Sequence, residues 1–119
     1  MFDDVNLQSI LDSMSEAELH SLPFGVIKLG SDLRVRFFSE TEARLSGFGL
    51  RPTQNLSFFD EVAPCMVSSG LREAAERALA DGSLDLELGH TGDFDDPKRL
   101  LRCRILSAAD RGLWFAIAR

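Results

Sequence analysis

Tyrosine is missing from this chain altogether, and its aromatic residues are nine phenylalanines and one tryptophan. No side chain can supply a phenolic hydroxyl. Cysteine is scarce: Cys65 and Cys103 stand far apart with no CxxC spacing, which argues against a disulfide framework and fits a reducing cytoplasm. The two histidines, His20 and His90, belong to different segments, so a metal site would need distant carboxylates and each reads first as a surface or strand-end residue. No run approaches the roughly 18 apolar residues of a membrane span. The opening MFDDVNLQSI is acidic and lacks the basic-then-apolar layout of a secretion leader. Basic residues are outnumbered 19 to 13, for a net charge of −6, which argues against an electrostatic grip on nucleic acid or anionic membrane. There is no phosphate-cradling glycine loop and no HExxH, so an enzymatic reading has little to rest on.

What is present describes one domain. A chain of 119 residues with 45% hydrophobic content can close a single core. Leu7, Ile10, Leu11 and Met14 fall on one helix face. Ser15 and Glu18 then form a capping-box pattern, and Pro23 ends this helical cap, residues 1–22. Two strands, 24–29 and 33–38, flank the turn GSD, with Leu33, Val35 and Phe37 alternating against Arg34 and Arg36. A capped helix starts after Ser39 and stops at Gly47; FFDEVAP reads as one helical turn or a tight loop. Residues 68–82 predict a longer helix with Leu71, Ala75, Ala78 and Leu79 as its apolar stripe and Gly82 as its stop. SLDLELGH and RLLRCRIL alternate as half-buried strands around the polar loop HTGDFDDPK, and the continuous LWFAIA predicts a central strand covered on both faces. Two strands, a helical crossover and a three-strand meander make an α+β fold. Its sheet is five-stranded and antiparallel, with helices over one face and the cap over the other. Residues 23–119 form the core. No output domain follows the last strand, so signalling by non-covalent contact is expected.

Few residues stand out chemically. Cys65 reads either as a small buried hydrophobe or as a covalent anchor; Cys103, mid-strand between two arginines, reads as packing. Spacing gives no support to a Cys65–His90 nucleophile pair. Glu42 either closes a capping box with Ser39, which local sequence favours, or points into the core, where desolvation would raise its pKa.

The segments LPFGVIKL, SFFDEVAPC and ADGSLDLELGHT, with the near-terminal LWFAIA, resemble the photoactive yellow protein family, blue-light receptors with the PAS fold. The likeness runs from about Leu11 to the end and is gapless between Leu22 and Cys65, with FF-x-x-VAPC its most specific motif. It implies p-coumaric acid held as a thioester on Cys65, its buried phenolate bonded by a protonated Glu42 and supported by the Ser46 hydroxyl. Light would isomerise the chromophore, Glu42 would lose its proton, and the new buried charge would loosen the N-terminal cap.

The resemblance breaks at specific places. Phe38 stands where the family has a tyrosine that donates to the phenolate, and Phe48 where it has an arginine over the pocket. His90 and Gly92 replace two aromatic residues, while Phe94 keeps a third ring. One lost charge-assisted hydrogen bond at a buried anion is worth roughly 1.5–3 kcal/mol. The phenol's pKa would rise and part of the chromophore would sit protonated, absorbing at shorter wavelength.

Three readings follow. One is a photosensor with p-coumarate on Cys65, favoured by the joint retention of thiol and carboxyl. The second is a chromophore-free PAS interaction module in which Phe38 and Phe48 fill the pocket. The third is a haem or small-molecule sensor with His90 as ligand. All three imply a cytoplasmic domain working through an undefined downstream protein, with a homodimer as a candidate assembly and no nucleic-acid or membrane contact.

Overall fold

The computed structural model describes residues 1–119, the side chain of Ser68 excepted. The apolar spacing at the start produces α1 (Leu7–Ser13), which buries Leu7 and Leu11. The reciprocal capping box of Ser15 and Glu18 opens α2 (Glu16–His20). Strands β1 (Gly25–Leu29) and β2 (Val35–Phe38) follow, then α3 (Glu40–Ser46), a π-type turn (Phe58–Val62) and a 3-10 turn (Pro64–Ser69). Helix α4 (Leu71–Asp81) crosses to β3 (Asp85–Thr91), β4 (Leu100–Ser107) and β5 (Leu113–Ala118). The sheet order is β2-β1-β5-β4-β3, with every neighbouring pair antiparallel. The uninterrupted apolar strand β5 is central, as its composition requires.

Each sheet face has its own core. Over one face, α4 and the two short turns pack on Ile27, Leu29, Cys103, Ile105, Phe115 and Ile117. Over the other, Phe2, Leu7, Leu11, Leu19 and Leu22 of the cap pack on Val26, Leu106, Trp114 and Ala116. Polar contacts fix the cap's position. Arg104 donates to the carbonyls of Phe2 and Asp4 and pairs with Asp85. The Trp114 indole N–H donates to Asp12 (2.8 Å).

Three expected boundaries shift, each for a local reason. Leu33 is not in a strand: it occupies the hairpin turn at φ 62°, and β2 begins at Val35. Val35 and Phe37 do not share a face, because β2 bulges: Phe37 pairs with Lys28 but Val35 with Leu29, leaving Arg36 as the extra residue. Phe37 therefore packs with the cap and Phe38 with the helix-side core. Helix α4 starts at Leu71 rather than 68, because a 3-10 turn and left-handed Gly70 (φ 79°) precede it. Among the described residues no helix is long and apolar enough to cross a membrane.

Candidate functional site

Helix α3 is pinned at both ends. Ser39 Oγ accepts from the N–H groups of Glu42 and Val26, both at 3.1 Å, so one buried hydroxyl caps the helix and ties it to β1. Ser39→Ala is expected to lower stability by about 1–2 kcal/mol, measured as a shift in the urea midpoint at constant slope. At the other end left-handed Gly47 (φ 83°) stops the helix, and Ser46 Oγ accepts from Phe48 N–H (3.1 Å).

Glu42 gives only its backbone N–H to the cap, since the Ser39 N–H donates to the Val26 carbonyl (2.9 Å). Its side chain points into the core, where the residue is 1% exposed. There Arg119 grips it as a fork, with Nη1 to Oε1 and Nη2 to Oε2 both at 2.9 Å. Arg119 Nε also donates to Asp93 Oδ2 (2.7 Å), which accepts from Arg99 as well (3.0 Å). The result is an alternating chain of Glu42, Arg119, Asp93 and Arg99. Gly25 is what lets it close, because a Cβ there would lie 1.8 Å from Glu42 Oε1.

Burial pushes the Glu42 carboxyl above its usual range, with the Asp93 charge adding to it, and the Arg119 fork opposes that shift without reversing it. For Asp93 burial acts upward too, but the bonds from Arg119 and Arg99 outweigh it and hold the carboxyl below the usual range. Arg119 loses from burial and gains more from its two carboxylates, so it stays charged. Burial, with the Glu42 charge adding to it, pushes the Cys103 thiol up to about 12, leaving it a packing residue.

Beside this chain three rings stack in series. Phe38 and Phe48 have centroids 5.5 Å apart, and Phe48 and Phe94 meet edge-on at 4.8 Å. The Arg51 guanidinium lies over the Phe48 ring at 3.9 Å, while its Nε donates to the Phe48 carbonyl.

Cys65 lies elsewhere. It is exposed, contrary to the buried-hydrophobe expectation, because the 3-10 turn carries it to the rim of an open cavity of about 810 Å³. Ser69, His90, Gly92, Asp93, Pro97 and Leu101 are among the residues lining that cavity. His90 is buried rather than superficial: Nδ1 meets Ser69 Oγ, and Nε2 has no partner among the described residues. Burial lowers its pKa and the Asp93 charge opposes the shift. His20 is the more open histidine, and its Nδ1 accepts from Glu40 N–H (3.0 Å). No group of three or more His, Cys, Asp or Glu among the described residues is placed to hold a metal ion.

Cys65 and Asp93 line the cavity, whereas Glu42, Ser46, Phe38, Phe48 and Phe94 are not among its lining residues; Glu42 is linked to Asp93 through Arg119. Glu42 and Ser46 share α3, and the three rings share one stack. Sequence reasoning missed Arg119, Asp93, Arg99, Gly25 and Ser69. A signal existed for Arg119: two-residue periodicity in β5 places it on the face of Phe115 and Ile117, toward α3.

The five-stranded antiparallel sheet with helices on one face and a helical cap on the other is a PAS fold. A PAS domain from Desulfitobacterium hafniense superposes with a TM-score of 0.56 at 14% identity, covering 83% of this chain and 93% of that one. In sequence the chain is similar to photoactive yellow protein of Halochromatium salexigens, 24% identical over 119 residues, covering 99% of this chain and 95% of that protein. Among solved structures it is similar to the photoactive yellow protein domain of the sensor histidine kinase Ppr from Rhodospirillum centenum, with a TM-score of 0.79 and 24% identity over 94% of this chain and 99% of that one. No family model matches the chain.

A buried p-coumarate phenolate does not fit the residues present. Both Glu42 oxygens already accept from Arg119, Phe38 brings no hydroxyl, and Phe38, Phe48 and Phe94 are packed on one another.

Proposed function

We propose that this chain is a photoactive yellow protein-like PAS signalling domain of the cytoplasm that works by protein contact, with residues 1–22 as its output element. One observation carries the reading: the cap covers an apolar sheet face and is positioned from outside that core by a few polar bonds. Loosening it uncovers Val26, Leu106, Trp114 and Ala116, a surface suited to a second chain, either a downstream protein or another copy.

Arg104→Ala tests this in the full chain. Its guanidinium is buried and bonds two carbonyls of the cap segment and Asp85, so its loss should destabilise docking by about 1–3 kcal/mol. Amide exchange in α1 and α2 should accelerate roughly fivefold to a hundredfold while β1 and β5 keep their protection, and the variant should self-associate in sizing experiments. Uniform acceleration across cap and sheet would mean that the cap is no separate unit, and the reading fails.

The exposure of Cys65 at the cavity favours a second reading, a photosensor with p-coumarate on that thiol. A mass increase on the Cys65 peptide together with a reversible, light-driven absorbance change would establish it. A silent spectrum under illumination leaves the contact module.

A further inference from the structure

We infer that Arg119 holds Glu42 as an ionised carboxylate and has thereby closed the α3–β5 site to any buried anion. The inference concerns the carboxyl alone and does not depend on whether the cap is the output.

Charge balance comes first. Glu42, Asp93 and Asp95 contribute three negative charges against the two positive charges of Arg119 and Arg99, so the chain has no positive charge to spare. An anion placed against Glu42 would be the odd charge, facing a carboxylate that has no proton to offer. Geometry points the same way. The fork uses both Glu42 oxygens, whose side chain is 2% exposed, and the Arg119 side chain is 10% exposed with Asp93 holding its far side. Swinging Glu42 toward a ligand would leave Arg119 without one of its two acceptors in a poorly hydrated place. The close approach of Gly25 shows that β1 leaves this carboxyl one position. Phe38, packed on Phe48, brings no hydroxyl that could hold an anion. A glutamate that serves elsewhere as a proton donor is here a structural acceptor, and Arg119 is the positioning residue that makes it one.

Infrared spectroscopy of the intact protein reads the proton directly. Subtracting the spectrum of Glu42→Gln from that of the wild type at neutral pH should leave a carboxylate stretch and no protonated-carboxyl C=O band. A C=O band that vanishes in Glu42→Gln overturns the inference. Glu42→Asp serves as the difference partner where the glutamine variant does not fold, since a shortened carboxylate moves the band.

A second arm uses p-coumaroyl imidazolide as the probe. The Cys65 sulfur attacks the carbonyl carbon, the C–S bond forms as the C–N bond breaks, and imidazole leaves with the thiol's proton. The wild-type adduct should absorb in the near ultraviolet at neutral pH, as a neutral phenol does. In the Phe38→Tyr, Arg119→Gln double variant, folded by circular dichroism, a band should move into the blue. A blue-absorbing wild-type adduct, or a folded double variant that never leaves the ultraviolet, would each defeat the assignment. So would failure of every variant to acylate while a maleimide still labels Cys65, because the barrier would then lie at the thiol.

Discussion

Arg119→Leu should lower the unfolding free energy by about 3 kcal/mol at neutral pH, at the low end of the range for breaking a buried pair, because the side chain keeps a tenth of its surface in water. The variant strips Glu42 of the arginine that pairs with it and leaves Asp93 with Arg99. The deficit should depend on pH in a defined sense. Burial raises the folded-state pKa of Glu42, and removing Arg119 removes the opposing pull. A carboxyl with a raised folded pKa binds its proton more tightly folded than unfolded. Stability therefore falls as pH rises from the ordinary glutamate value of 4.5 through the raised pKa, and is recovered as pH is lowered back through that window. Urea titrations at pH 5 and pH 7.5 should show the smaller deficit at pH 5. A pH-independent deficit would mean that Arg119 contributes packing only.

Trp114→Ala is the other large effect, about 3–5 kcal/mol by the usual range for deleting a buried tryptophan side chain. Three contacts go together: packing under the cap, the indole N–H bond to Asp12, and the Lys28 ammonium 4.6 Å over the ring. Asp12 also accepts from Ala109 N–H (3.2 Å), so the β4–β5 turn loosens with it. The loss should appear first as undocking of residues 1–22. Fluorescence reports nothing in this variant, so amide exchange and far-ultraviolet circular dichroism are the probes. If cap and sheet melt in one step at the reduced midpoint, the two cores form a single cooperative unit.

Local chemistry made much of this fold legible. Ser15 with Glu18 and Ser39 before α3 announce helix starts by residue type alone, and Gly47 and Gly82 announce stops. Alternation in β4 and continuity in β5 gave faces and position in the sheet. The bulge was not legible, because an extra residue in β2 is defined only by its pairing with β1. Glu42 shows the same limit in the site: capping is a three-residue relation, whereas its partner Arg119 lies 77 positions away. The gapless likeness over residues 22–65 names the thiol and the carboxyl, but the partner of that carboxyl is an arginine outside the stretch. Cys65 was legible as a residue of interest and not as an exposed one, since the 3-10 turn that carries it outward has no strong local code.

The extra residue in β2 has a mechanical consequence. Because Arg36 has no strand partner, Phe37 turns to the face opposite Val35 and touches His20 of the cap at 4.7 Å between ring centroids, while its neighbour Phe38 touches Phe48 on the other face at 5.5 Å. Adjacent Cα atoms are held about 3.8 Å apart across one planar peptide unit. The two layers thus meet across a single peptide unit, from which one ring reaches the cap and the next reaches the helix-side stack.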